Sequence, residues 1–328
     1  MALVTAGGIV GVTVGLVLTA TAMVVVPGLA EPSTFVTTAL PLARLVLDLA
    51  ALLAVGATLT PVLAGSGRAE ASTELAIGRG VAAMSSAAWA LAAVATLVLQ
   101  VADANVGRHL TLGAVVEYAT SVRSGLALLV VVICALIGLA VNAVSVRRPL
   151  AVRPGLPIVI AIATLLPLPP SGHIGDEAGV LGALSTVTIE LHVLAATSWA
   201  GGLIAVIAVL GTRRSLLAEA LPRFSRLATA CVFTTAVTGV LAGVIILISE
   251  PGLHWYSAPF TTGYGHILLG KGIGVVAIGL LGAHIRFRLL PTVQAASRAA
   301  VLRWAGWELT VMGAAFGLAA VLVGSPIA

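Results

Sequence analysis

Apolar residues run along this chain in continuous stretches of about 20, the length a helix needs to cross hydrocarbon. Reading for that length predicts nine helical spans, at approximately 3–26, 37–63, 80–101, 121–145, 152–168, 183–210, 225–249, 263–285 and 302–324. The fifth is short, and the connection over 102–120 has the mixed character of an amphipathic surface helix. Backbone groups in lipid are satisfied only in helices or closed barrels, and runs without strict alternation exclude a barrel. The fold class is therefore all-α, a polytopic membrane helical bundle. The first run lacks the basic start of a signal peptide and exceeds the usual apolar length of one, so it reads as a span although Gly28, Leu29 and Ala30 mimic a cleavage site.

Charge separates the connections into two alternating sets. One carries Arg68 and Arg79, then Arg147, Arg148 and Arg153, then Arg213, Arg214, Arg223 and Arg226, then Arg286, Arg288, Arg298 and Arg303. The other carries mostly acids, Glu31, Asp103, Glu117, Asp176, Glu177 and Glu250, with Arg108 and Arg123 as exceptions. By the positive-inside rule the arginine-rich set is cytoplasmic, which puts the N-terminus in the cytoplasm and the C-terminus outside. The first four spans form an N-terminal transmembrane block over 1–150, and the rest of the chain, 151–328, a second unit. No Walker-type glycine loop is present, so transport driven by ATP on this chain alone is not expected.

Composition agrees with lipid as the solvent. Of 328 residues 59% are hydrophobic and 9% charged, and the mean hydropathy is +1.15. Soluble domains carry about a quarter charged residues, so a water-soluble globule is excluded. The formal charge of +5 does not indicate nucleic acid, because the basic residues sit in short segments between spans and report topology. Cys134 and Cys231 each lie within an apolar run and read as small packing residues rather than a disulfide or zinc knuckle.

Ionisable residues inside spans are costly and mark candidate sites. Arg44 and Asp48 stand four apart on one face of the second span, a self-neutralising structural charge pair. Glu190 and His192 on the sixth span are about 200° apart around the helix, whereas His192 and Trp199 share a face. The one lysine, Lys271, lies in the eighth span at a depth similar to Glu190, its expected counter-charge, with Glu308 on the ninth span as the competing partner. Such a pair either fixes helix register or couples a proton. Five of the six histidines, His109, His173, His192, His254 and His266, fall in outer loops or outer helix ends under this topology, and only His284 lies inward. Imidazole ligates copper, zinc and nickel, so the one-sided collection suggests a metal arriving from outside. His192 and His266 are the expected intramembrane ligands, with His173 and His254 as capture groups and His109 as an ordinary loop residue. Few methionines and no CxxC or MxxM pattern argue that ligation rests on imidazole, helped by carboxylate, backbone or water.

The second half carries recognisable stretches: HVLAATSWAGG at 192–202, PRFSRLA at 222–228, TG at 238–239, GYGHILLGK at 263–271 with Arg286 after it, and WELT at 307–310 before a closing SP. In this order, over roughly 184–326, they resemble the copper resistance protein D family. The resemblance implies a membrane protein that moves copper from the outer face across the inner membrane, working with a periplasmic copper-binding protein. It carries over to His192, Trp199, Gly201, Gly202, Phe224, Ser225, Tyr264, Gly265, Lys271, Arg286 and Glu308, and makes 151–328 the copper resistance D-like domain. The first four spans show no comparably clear motif.

The expected function is thus copper transport or delivery, not enzymatic catalysis. Two alternatives stand beside it. One is a membrane cytochrome with His192 and His266 as axial haem ligands. The other is a non-transporting assembly factor that docks on a cytochrome oxidase or a copper chaperone.

Overall fold

A computed structural model describes residues 2–20, 33–65, 71–107, 109–168, 180–249, 256–284 and 298–322. Among these residues the regular elements are all helical. They are α1 (Ala2–Ala20), α2 (Thr34–Ala64), α3 (Ser72–Ala104), α4 (Leu112–Ser121), α5 (Arg123–Arg147), α6 (Gly155–Leu165), α7 (Val180–Ala208), α8 (Arg214–Ser249), α9 (Ala258–Thr261), α10 (Gly263–His284) and α11 (Arg298–Leu322), with one 3-10 turn over Leu210–Thr212. Each of the nine expected apolar segments coincides with a helix, and α4 occupies the place of the amphipathic connection. Six stretches are long and apolar enough to cross a membrane by length and composition: Thr34–Ala64, Ser72–Ala104, Arg123–Arg147, Val180–Thr212, Arg214–Ile245 and Leu302–Val321. Ala2–Val17, Gly155–Leu165 and Leu268–Ala277 are apolar but shorter, so the described helices do not fix the number of crossings at nine. Large apolar side chains such as Val17, Leu91, Phe233, Val240 and Leu280 point outward, the inverse of a water-soluble surface. The chain is a multi-pass membrane protein.

Local chemistry explains the helix ends and the polar residues within the spans. Ser33 caps α2 by accepting the Val36 N–H, Thr111 caps α4 through the Ala114 N–H, and Thr262 caps α10 through the Gly265 N–H at 3.0 Å. Within the spans, hydroxyls turn back onto their own helix. Ser86 donates to the Ala82 carbonyl, Thr96 to Ala92 and Thr310 to Gly306. Lipid offers no other acceptor, so this back-bonding is what lets hydroxyls sit there.

Helix α2 is the hub between two apolar cores. Its Leu45, Leu49 and Leu52 face a core shared with α1, α7, α8 and α11. Its Leu47, Ala51 and Ala54 face a second core built with α3, α5 and α6. The two sets have the same spacing on opposed sides of the helix, while Leu42, Val46 and Val62 point outward between them. Glycine sets the closest approaches. Gly56 of α2 lies against the backbone of Gly201 on α7, where a Cβ on Gly201 would meet the Gly56 nitrogen at 3.0 Å. Helices α1 and α11 pack through Gly7 against Thr310, Gly11 against Ala314 and Gly15 against Val321. Both numbers rise together, so the first and last described helices run parallel. Spacings of four between small residues permit such backbone contact, which in lipid replaces the hydrophobic drive available in water.

Candidate functional site

Helices α7 and α8 run antiparallel, with His192 opposite Thr238 and Gly202 opposite Phe224. On α7 the inward positions are Ser185, Thr188, His192, Ala195, Trp199, Gly202 and Val206, alternating by three and four, and all but the half-buried His192 are buried. The α8 face contributes Phe224, Cys231, Thr235, Thr238, Ala242 and Ile245 at the same spacing. This is the periodicity of two long helices in knobs-into-holes contact, with polar groups where a soluble pair has leucine.

His192 is held by α8 in two ways. Its Nδ1 lies 3.2 Å from the Thr238 Oγ1. The Thr238 hydroxyl itself donates to the Thr234 carbonyl one turn back, so toward the imidazole its oxygen accepts. This contact fits the Nδ1–H tautomer of the ring. Beside it Gly239 leaves room for the ring, because a Cβ there would stand 3.1 Å from the His192 Cε1 and 3.4 Å from Nδ1. The dipeptide at 238–239 thus has a physical meaning: the hydroxyl orients the imidazole and the glycine admits it. Fixing one ring nitrogen to present the other is how second-layer groups prepare a histidine for a cation.

Two turns further along α7 the stretch from Trp199 to Gly202 divides its tasks. Trp199 and Glu308 of α11 are both only 4% exposed. The indole N–H lies beside the Glu308 carboxyl without reaching hydrogen-bond geometry. Gly201 admits the backbone of α2, and Gly202 seats the ring of Phe224. Thr235, between the levels of His192 and Trp199, has a buried hydroxyl oxygen with no hydrogen-bond partner. Buried polar atoms are paired in most folds, so the unpaired Thr235 hydroxyl and Trp199 indole N–H make this seam unusual.

The other expected site residues are placed as follows. His266 is exposed at the start of α10, and its Nε2 donates to the Phe260 carbonyl at 3.1 Å. His192 and His266 are thus each engaged with a different neighbour, Thr238 and Phe260. Gly265 is buried in the capped first turn of α10, and the Ser225 carbonyl accepts the Thr229 hydroxyl within α8. Glu190 is half-buried on α7. Lys271 and Tyr264 lie in α10, but their side chains are outside the described residues, as are His173, His254 and Arg286 altogether. Arg44 interacts electrostatically with Asp48 and also with Asp103 and Tyr118, a wider setting than a single pair. Among the described residues no three His, Cys, Asp or Glu side chains gather as a metal-holding group.

One ionic site was not foreseen from sequence. Glu74, with a side chain 5% exposed near the start of α3, takes the Arg213 Nε at 2.8 Å and the Thr212 hydroxyl at 3.3 Å on one oxygen. Nearby, Arg223 of α8 reaches the Ala64 carbonyl at the end of α2, and its guanidinium lies against Gly65, whose φ of 58° favours glycine. These contacts tie the α2–α3 connection to the α7–α8 connection.

Comparison with known proteins bears on both halves. A family described as copper resistance protein D-like, N-terminal domain, matches residues 33–183, where sequence reading found no clear motif. A second, copper resistance protein D, matches residues 218–322. The stretch 192–202, with His192 and Trp199, lies between the two matched segments. The inner membrane protein YebZ of Escherichia coli (strain K12) is 27% identical over 167 residues, covering 50% of this chain and 54% of that protein. The alignment thus spans about half the length of this curated relative. No solved structure matches. Matched in consecutive order by the N-terminal and the C-terminal descriptions, the chain belongs to the copper resistance protein D family.

Proposed function

We propose that this protein takes up copper at the outer face of the inner membrane and passes it inward or to a partner, with His192 as the ligand inside the bundle. Membership of a copper resistance family supplies the cargo. The observation that supports this is the setting of His192 in the α7–α8 seam, where its Nδ1 lies 3.2 Å from the Thr238 Oγ1 and its ring is seated on Gly239, an imidazole held among the polar groups of a membrane-buried helix pair. An imidazole suits copper, and a chain poor in sulfur leaves carboxylate, backbone and water to complete the shell. His266 and the loop histidines His173 and His254 serve as earlier stations. Beyond His192, the Thr235 hydroxyl and the Glu308 carboxyl beside Trp199 offer oxygen donors deeper in the seam. A buried carboxylate attracts a cation that has left water.

The arginine-rich connections face the cytoplasm in this reading, with the N-terminus inside and the C-terminus outside. The protein is a conduit and not an enzyme, and a periplasmic copper-binding protein or an oxidase assembly partner completes the route. The test is copper accumulation in cells or vesicles, read by mass spectrometry, for the native chain and His192→Ala at equal membrane abundance. Accumulation falls in the variant if the assignment holds. Unchanged accumulation overturns it.

A further inference from the structure

Away from the α7–α8 seam, helices α2, α3, α5 and α6 enclose a small polar cavity within the N-terminal half. Its walls are formed by Thr58, Ser86, Trp89, Asn142 and Thr164, closed by small or apolar neighbours such as Gly138. The space accessible to the centre of a water molecule is about 10 Å³, close to what a single water requires. Trp89 is 1% exposed, and its indole N–H has no hydrogen-bond partner.

The wall chemistry narrows the occupant. The Thr58 hydroxyl donates to the Val55 carbonyl, Ser86 to Ala82 and Thr164 to Ile160, so all three hydroxyl protons are committed. Asn142 donates through Nδ2 to the Ser86 oxygen at 3.3 Å, leaving its second amide proton and its carbonyl oxygen. The cavity therefore offers lone pairs on Thr58, Thr164 and Asn142, and donors from Trp89 and Asn142. A bare cation meets the indole and amide protons, an anion meets the lone pairs, and an apolar atom leaves Trp89 unsatisfied. A molecule that both donates and accepts matches all of them. Near the same level Pro61 interrupts the hydrogen-bond ladder of α2, and membrane helices recover such losses through neighbouring groups and ordered water.

We infer that this cavity is a binding site for one internal water molecule, which accepts from the Trp89 indole and donates to the Thr58, Thr164 or Asn142 oxygens. The water joins four helices at the side of α2 that faces away from α7. This site is independent of copper handling, and its test does not touch that reading.

The experiment is ultraviolet resonance Raman spectroscopy of the full-length protein in detergent, reading the indole N–H signature as the difference between native protein and Trp89→Phe. A hydrogen-bonded signature that shifts on transfer to D₂O is expected, because exchange requires water to reach the buried nitrogen. Asn142→Leu, which fills the space with apolar atoms, moves the signature to the non-bonded position while circular dichroism still reports the full helix content. If Asn142→Leu does not fold, Thr58→Val removes one acceptor at nearly constant shape and weakens the same signature. A non-bonded Trp89 signature in the native protein overturns the inference. So does a signature that changes when choline replaces sodium, which assigns the site to a cation.

Discussion

Replacing Gly239 by Ala sets two effects of opposite sign against each other and separates function from stability. The added Cβ lies 3.1 Å from the His192 Cε1, tighter than ordinary contact, so the ring retreats by a few tenths of an ångström. The bond to Thr238, already 3.2 Å, then passes the range in which an N–H···O bond keeps its strength. Its loss is worth about 0.5–1.5 kcal/mol, or about two- to tenfold in how often Nε2 is presented correctly. Alanine in a helix interior is meanwhile favoured over glycine by about 0.5–1 kcal/mol. Thermal stability in detergent should therefore change little, while copper binding or accumulation falls about two- to tenfold. Thr238→Val extends the test. It keeps the shape but leaves the Nδ1–H without its acceptor, at a cost of about 1–3 kcal/mol, which predicts the larger loss. Normal copper accumulation by both variants at native membrane abundance would refute the tethered-imidazole argument.

Three further outcomes are expected. Gly201→Ala places a methyl group against the α2 backbone and should lower thermal stability by about 1–3 kcal/mol, measured by melting in detergent, because two helices must separate. Glu74→Ala strips Arg213 and Thr212 of their shared carboxylate oxygen and should destabilise by about 1–3 kcal/mol, with Arg213 half-exposed and able to find water; an unchanged melt would show the pair to be incidental. The purified protein should show no visible haem absorption band, and a band lost in His192→Ala would instead support a cytochrome.

Much of the architecture was readable as apolar run length. The short fifth segment became α6, and the mixed connection became α4. Helix ends were less legible, because hydropathy detects the part in hydrocarbon while the helix continues beyond it. Helix α3 begins at Ser72 rather than near 80, and α8 at Arg214 rather than near 225, each extended by charged turns that hydropathy alone assigns to connections. This is why Glu74 escaped notice, although its partner Arg213 was counted among the basic connections. At the candidate site, His192 and Glu308 were singled out by cost in lipid and Trp199 by sharing a face with His192, while Thr238 and Gly239 stood out only as a motif without a role. The role of Thr238 and Gly239 depends on how α8 is rotated against α7, and the approach of Glu308 to Trp199 joins helices far apart in sequence. Both are tertiary facts to which a one-dimensional pattern is blind.

The parallel packing of α1 on α11 has a consequence for biogenesis. Among the described helices α1 is synthesised before the others and its backbone partner α11 after them, so their glycine contact forms only once α2 to α10 have been made. Among the described helices the α1–α11 contact is therefore the one that must span the greatest separation in sequence, and a chain interrupted before Arg298 would leave the glycine face of α1 without the backbone it packs on.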